Sequence, residues 1–460
     1  MSLIVRPILV YETHERKAAS SWRPWGGIQT EEDASNEKER ISQELAALAS
    51  RLDFPLEFLP LAAVREDKDV AAMRDEAEAA DAALIYAAGG SLQLLNSVME
   101  DFRWNLVFLR HRSGPLYLWY EIIHPMVLRH YSDEIGSSRL DIDDVVVDSY
   151  DELLWRLRAL SGLKKTFDTR IVSLGGSGAW GGWYASEIKD AALSMTEERF
   201  KISIVPVGYP EFSRRIEAAR RDERRVQQAH AMAGAYLAGD GVSLQTSKEF
   251  VDNAFLLYML FKELMEENDA DAFTVLDCMT TIIPIAKTTA CLPLSLINDE
   301  GSLAFCESDF VVIPSGILLH NVSGRPVFLN DPTFPHDGMV TLAHCTAPRK
   351  MGGEELAPVT IVTHYESDYG AAPKVEFKRG QSVTVIVPDF EGKSWLGFRG
   401  EILESPSYPI CRSQAEVRIE GDWHRLLTEM RGFHFMMGYG DSTKELSYAL
   451  NKVGMAWTML

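Results

Sequence analysis

Cysteine is scarce in this chain: there are five in 460 residues, Cys278, Cys291, Cys306, Cys345 and Cys411, with no CxxC pair among them. An odd, sparse set excludes a disulfide framework and a zinc knuckle. Cys278, Cys291 and Cys306 sit among apolar residues and read as buried free thiols in a reducing compartment. Long apolar runs are missing too. Nothing reaches the roughly 18 residues that a membrane-spanning helix needs. The opening MSLIVRPILVYETHERK is too short and too interrupted by charge for a signal peptide, so a cytoplasmic location is expected. Positive charge is in deficit, with 46 Lys and Arg against 67 Asp and Glu and a net charge of −21. Such a surface repels phosphate backbones and anionic bilayers, which argues against nucleic acid or membrane as a partner. Internal repeats and low-complexity segments are absent.

What is present is the material of a large globular protein. At 46% hydrophobic residues the chain can bury a sizeable core, and its length suggests two to four domains. LIVRPILVY reads as a buried strand, followed by a helix over residues 31–52 in which Ile41, Leu45, Leu48 and Leu52 recur at helical spacing. Further apolar runs at AALIYA (82–87), PLYLWY (115–120) and DVVVD (144–148) alternate with helical stretches, the pattern of a parallel sheet with crossover helices.

A basic, loop-like stretch around Leu163, Lys164 and Lys165 is expected to end that domain. A second α/β set follows, with strands RIVSLGGSG and KISIVPVGYP and Glu/Arg-rich helices between Glu211 and Ala238. The next helix is expected to open at Thr246, with Glu249 completing a capping box. The strand AFTVLD then places Asp277 at a carboxyl edge, where open α/β sheets bind ligands. After about residue 350, short alternating runs such as VTIVTHYES, SVTVIVPDF and AEVRI predict a mainly antiparallel barrel or sandwich. The expected architecture is therefore α/β. Two doubly wound, Rossmann-like parallel-sheet domains (1–165 and 166–345) precede a mainly antiparallel β domain (346–460) that ends in a helix.

The densest chemistry lies between Ala290 and Met351. There CESD (306–309) precedes a helix, SGRPVFLND (323–331) follows, and an AHCTAP turn begins at Ala343; GFHFMMGYGD surrounds His434. These words, spread from Phe273 to Asp441, resemble the C-terminal core of the L-fucose isomerase and L-arabinose isomerase superfamily, while the first 240 residues agree in layout only. The resemblance implies a metal-dependent sugar isomerase that interconverts an aldose and a ketose through an enediol(ate). It also implies a divalent cation, usually Mn²⁺, and a homo-oligomer, trimeric or hexameric. Carried over by motif, Glu307 is a metal ligand and acid/base, and Asp331 is its carboxylate partner. His434 completes the fucose-type set and His344 adds the arabinose-type histidine. Such a donor set suits Mn²⁺ and tolerates Mg²⁺, Co²⁺ or Zn²⁺.

Elementary chemistry supports the same residues. A proton next to a carbonyl leaves at neutral pH only if the developing charge is neutralised. Two carboxylates at one cation can separate in pKa, so that one accepts while the other donates. Singly, each residue also has an ordinary reading: Glu307 as a charge at a helix start, Asp331 as a turn residue before Pro332, and His344 and His434 as hydrogen-bonded interior histidines. Two departures from the family stand out. Phe433 occupies the place of an adjacent histidine, and Cys278 and Met279 follow Asp277 in place of a cysteine and an aromatic.

Substrate contacts are expected from Trp22, Arg23, Trp25 and Gln29 in the loop SWRPWGGIQT, from Trp119, Glu121 and His124 in LYLWYEIIHP, and from Asp277. LGGSGAWGG (174–182) lacks the terminal Lys-Ser/Thr pair of a P-loop and reads as a tight turn or a sugar-facing loop. The Arg214–Arg225 run reads as a solvated helix face. Alternatives to an isomerase are another carbohydrate enzyme on this scaffold, an epimerase or a glycoside-processing enzyme, and a sugar-binding protein without turnover.

Overall fold

The structure is a computed structural model that describes residues 2–13, 18–19, 27–77, 80–117, 122–129, 140–180 and 185–460. It is an α/β protein with two parallel sheets and a C-terminal antiparallel sheet, organised as two compact units, Met1–Ser161 and Gly162–Leu460. No single helix among the described residues is long and apolar enough to cross a membrane.

In the first unit, β1 (Leu3–Val10), β2 (Leu56–Phe58), β3 (Ala62–Val64), β4 (Ala82–Ala87), β5 (Trp104–Leu109) and β6 (Val145–Val147) form one parallel sheet. The order is β2-β1-β4-β5-β6, with β3 also paired to β1. β4 and β5 are buried at every position, as unbroken apolar runs must be when both faces of a sheet are covered. The helix Glu31–Ala49 starts with a capping box between Thr30 and Asp33 and buries Ile41, Leu45 and Leu48. One expectation fails here. β5 was not apparent from the sequence pattern, whereas the described part of PLYLWY, Pro115–Tyr117, forms no strand. The reason lies in a buried ion pair: Arg110 Nε donates to Glu37 at 2.6 Å, and the Tyr117 hydroxyl donates to the same carboxylate at 2.8 Å. Tyr117 is recruited to complete this pair rather than to extend the sheet.

The expected loop at residues 163–165 is also corrected, because it belongs to the helix Tyr150–Phe167. Leu153, Leu157, Leu160 and Leu163 are all fully buried, a helical period, and Lys164 and Lys165 lie in the last turn, where positive charge favours a helix.

The second unit opens with β7 (Arg170–Leu174), β8 (Ser203–Val207), β9 (Val242–Leu244), β10 (Ala272–Val275) and β11 (Leu303–Cys306). Four of these make a parallel sheet, ordered β11-β10-β7-β8. The helix Lys248–Glu267 is capped by Ser247 rather than by the expected Thr246, whose hydroxyl instead donates to the Gly370 carbonyl. The Arg-rich helices Tyr209–Arg221 and Glu223–Leu237 carry surface ion pairs such as Arg215 with Glu211 and Glu267.

The remaining strands are β12 (Val327–Pro332), β13 (Met339–His344), β14 (Val359–Val362), β15 (Ala372–Val375), β16 (Ser382–Pro388), β17 (Ser394–Glu404), β18 (Ser413–Glu420), β19 (Phe435–Tyr439) and β20 (Ala456–Met459). β14 and β15 join β9 in a small sheet. The antiparallel sheet runs β16-β19-β12-β13-β18-β17-β20 and closes on itself through β16 and β17. Six of its strands thus form a barrel, and closure removes the exposed edges that an open antiparallel sheet would present. The barrel begins at Val327, ahead of the expected boundary at 346. β12 and β13 read as part of an α/β run in sequence, yet their ladder partners, β19 and β18, come from the last fifty residues.

Candidate metal centre

The parallel sheet and the barrel each bring chain ends to one place. Val275 and Cys306 are ladder partners at the carboxyl ends of β10 and β11, so the segments that follow them, with Asp277 and Glu307, emerge side by side. From the barrel, Asp331 pairs with Ala343, the neighbour of His344, and Asn330 pairs with Phe435, the neighbour of His434. Three strands therefore deliver Asp331, His344 and His434 at one level.

Glu307 divides its carboxylate between the two histidines. Its Oε1 lies 3.7 Å from His344 Nε2, and its Oε2 lies 3.4 Å from His434 Nε2. Asp331 Oδ1 stands 3.1 Å from the same His434 nitrogen. Both histidines are buried, whereas about a third of each carboxylate side chain is open to solvent. The four residues singled out for a metal are thus brought together. Neither carboxylate keeps its ordinary reading. Glu307 lies well before the helix Ile313–Ser323, and Asp331 is a strand residue.

The histidines are oriented from behind. His434 Nδ1 donates to Asp309 Oδ2 at 2.7 Å, and His344 Nδ1 contacts the Thr346 hydroxyl at 2.9 Å. Asp309 is fully buried, and its other oxygen accepts the backbone N–H groups of Trp180 and Val311, both at 3.1 Å. A carboxylate held in this way fixes the proton on Nδ1 and turns Nε2 forward, the usual outer-shell support of a metal-bound histidine. His434 Nε2 is buried and makes no well-directed hydrogen bond despite its two close carboxylates. Ser308 Oγ and Asn330 Oδ1, beside the same residues, are likewise buried without partners. Of these, His434 Nε2 is the atom that Glu307 and Asp331 face, and an orphaned polar atom among such donors signals a missing ligand.

Electrostatics agree. Burial opposes charge on Glu307, but His344 and His434 hold its carboxyl well below the usual carboxylate range. Burial likewise opposes protonation of His434, yet Asp309, Asp331 and Glu307 raise it far above an ordinary imidazole, and Glu307 and Asp331 raise His344. The cluster demands positive charge, which either protons or a cation can supply. The donor set fits a cation. Cys306, Glu307 and His344 each offer an atom within 4.8 Å of the others and could hold a metal ion.

Backbone geometry marks the same spot. Glu307 and Ser308 are both left-handed, with φ of 65° and 45°. For residues other than glycine each such conformation costs about 1–3 kcal/mol and persists where the surroundings impose it. Here the loop after β7 does so: Gly178 N–H donates to the Ser308 carbonyl, and Phe310 N–H donates to the Gly178 carbonyl. Gly176, Gly178 and Gly181 keep the interval of a dinucleotide-binding loop, but the Gly178 and Trp180 amides are spent on Ser308 and Asp309. β8 ends in Val207-Gly208, with no acid there to hold a ribose. The loop serves as a brace for CESD.

Sequence reasoning missed Asp309 and Trp180. Trp180 stacks on Phe433 with ring centroids 5.2 Å apart and meets His434 edge-on at 5.7 Å. The two rings are 44% and 51% exposed, an apolar surface directly beside the polar cluster. CESD holds both acids without telling which one faces inward; for Trp180 only the composition of its loop could have served.

Trp22, Arg23, Trp25, Trp119 and Glu121 lie outside the described residues. In the first unit, Gln29 donates its backbone N–H to Asp33, and His124 caps the short helix Pro125–Leu128. Asp277 spends its carboxylate on the Thr280 amide and the Thr280 and Thr281 hydroxyls, as a helix cap.

Searches with family models and among curated proteins find no match for the chain.

Proposed function

We propose that the chain is a metal-dependent aldose–ketose isomerase of the fucose/arabinose isomerase type, working on a neutral sugar through an enediol(ate). The observation that carries this reading is the convergence of Glu307, Asp331, His344 and His434 on a point where the buried His434 Nε2 lacks a hydrogen-bond partner. Mn²⁺ is the ion implied by the resemblance; any divalent cation held there would neutralise charge developing on the sugar oxygens.

The protein's own residues have separable tasks in this reading. Glu307 and Asp331 move the proton between adjacent sugar carbons. Asp309 fixes the His434 tautomer, and Trp180 with Phe433 offers a stacking face to the C–H side of the sugar. In the same reading both parallel sheets are doubly wound and Rossmann-like, supported by the all-parallel order of each, and the chain assembles as a homo-oligomer.

The test is elemental analysis of the purified protein and of an Asp331→Asn/His434→Ala double variant, followed by an aldose isomerisation screen. About one divalent ion per chain, lost in the variant, is expected. A protein that holds no ion and takes up none defeats the proposal.

A further inference from the structure

In a regular strand, successive side chains point to opposite faces. Cys306, the last residue of β11, and Glu307, the next, should therefore diverge. They do not: the Cys306 sulfur and a Glu307 oxygen lie within 4.8 Å of each other and of a His344 ring nitrogen. The left-handed backbone at Glu307 and Ser308 breaks the alternation. Glycine would adopt these angles without strain, yet the chain carries Glu and Ser, braced by Gly178. Consecutive side chains are thus turned toward one histidine.

Three donors around a tetrahedral ion lie roughly 3.4–3.8 Å apart, as ligand distances of about 2.0–2.3 Å require. The observed spacing needs only a small inward movement of side chains. Cys306 is buried, so its sulfur is shielded from competing solvent.

We infer that Cys306 is a metal ligand, a soft donor that acts with Glu307 and His344 and makes the centre one for thiophilic ions such as Zn²⁺, Co²⁺ or Fe²⁺ in preference to Mn²⁺. The inference rests on the metal centre proposed above and refines the class of ion. Carboxylate oxygens favour Mn²⁺ or Mg²⁺ and imidazole is accepted by many ions; one thiolate shifts such a site toward the zinc class. Binding replaces the S–H bond by a sulfur–metal bond and releases that proton to solvent, with no change in oxidation state.

Metal-free full-length protein titrated anaerobically with Co²⁺ provides the test. The expected result is visible d–d absorption together with a near-ultraviolet sulfur-to-cobalt charge-transfer band. That band should disappear in Cys306→Ala and in the better-filling Cys306→Val, while the d–d bands remain. The Zn²⁺ to Mn²⁺ affinity ratio should fall at least tenfold in both variants. Cobalt bands without charge transfer in the unaltered protein, or a charge-transfer band that survives both substitutions, overturns the assignment and leaves the metal centre standing. No cobalt uptake at all removes the centre itself. The two substitutions fill the site differently, so if one variant fails to fold the other decides.

Discussion

Asp309 and His434 are joined by a 2.7 Å hydrogen bond inside the protein, across a sequence separation of 125 residues. The bond ties the loop after β11 to the entry of β19, so the parallel sheet and the barrel share one rigid point. Because Asp309 is fully buried and anchored by two backbone amides, it determines which nitrogen of His434 carries the proton. Asp309→Asn keeps the shape but weakens that control. Metal affinity, measured by competition with a chromophoric chelator, should fall roughly 10–100-fold, the usual cost of losing a supporting carboxylate. Unchanged affinity would show that the bond is purely structural.

Glu307 should display a conflict between stability and function. Its left-handed backbone is strained, and glycine would relieve about 1 kcal/mol. Both Glu307→Gly and Glu307→Gln lose the ion pairs to His344 and His434, so urea unfolding in the presence of EDTA should find the glycine variant more stable than the glutamine variant by that amount, with metal binding lost in the glycine variant. Glu307→Gln, which keeps the size but removes the charge, should abolish turnover and weaken the metal. A glycine variant no more stable than the glutamine variant would mean that the left-handed backbone at Glu307 carries no strain.

These two residues also show how far the sequence could be read. Glu307, Asp331, His344 and His434 were legible because they sit in short, ordered words. Asp309 was not, since nothing in CESD says which acid faces inward until the left-handed turn is seen. Strands such as β1, β4 and β10 were legible as apolar runs bounded by turns. β12 and β13 were assigned to the wrong layer because pairing with β18 and β19 depends on residues about a hundred positions away. Tyr117 failed as a strand residue because a buried charge pair outweighed local β propensity.

Trp180 and Phe433 make a prediction about substrate rather than metal. Exposed stacked rings beside the cluster suit the apolar face of a sugar. Trp180→Ala should leave metal content unchanged and raise KM about tenfold with little effect on kcat, in keeping with about 1–1.5 kcal/mol for an aromatic contact. A fall in kcat with KM constant would assign Trp180 to holding His434 instead of the sugar.

His320 provides a pH test independent of the metal centre. It is buried in the helix Ile313–Ser323, and its Nδ1 contacts the Arg325 carbonyl at 2.8 Å. Burial, followed by the nearby charge of Lys165, pushes its pKa down from 6.5 to about 4. The folded state therefore holds a neutral ring, while the unfolded chain takes up a proton near 6.5. Stability from this group is complete above pH 6.5, declines as pH falls below that value, and levels off below about 4. The shift corresponds to about 3 kcal/mol. In EDTA, with the candidate centre kept metal-free, His320→Asn removes the titration. The difference in unfolding free energy between the variant and the unaltered chain should then change by that amount between pH 7 and pH 4. A constant difference across this range would mean that His320 is already solvated, or already charged, in the folded protein.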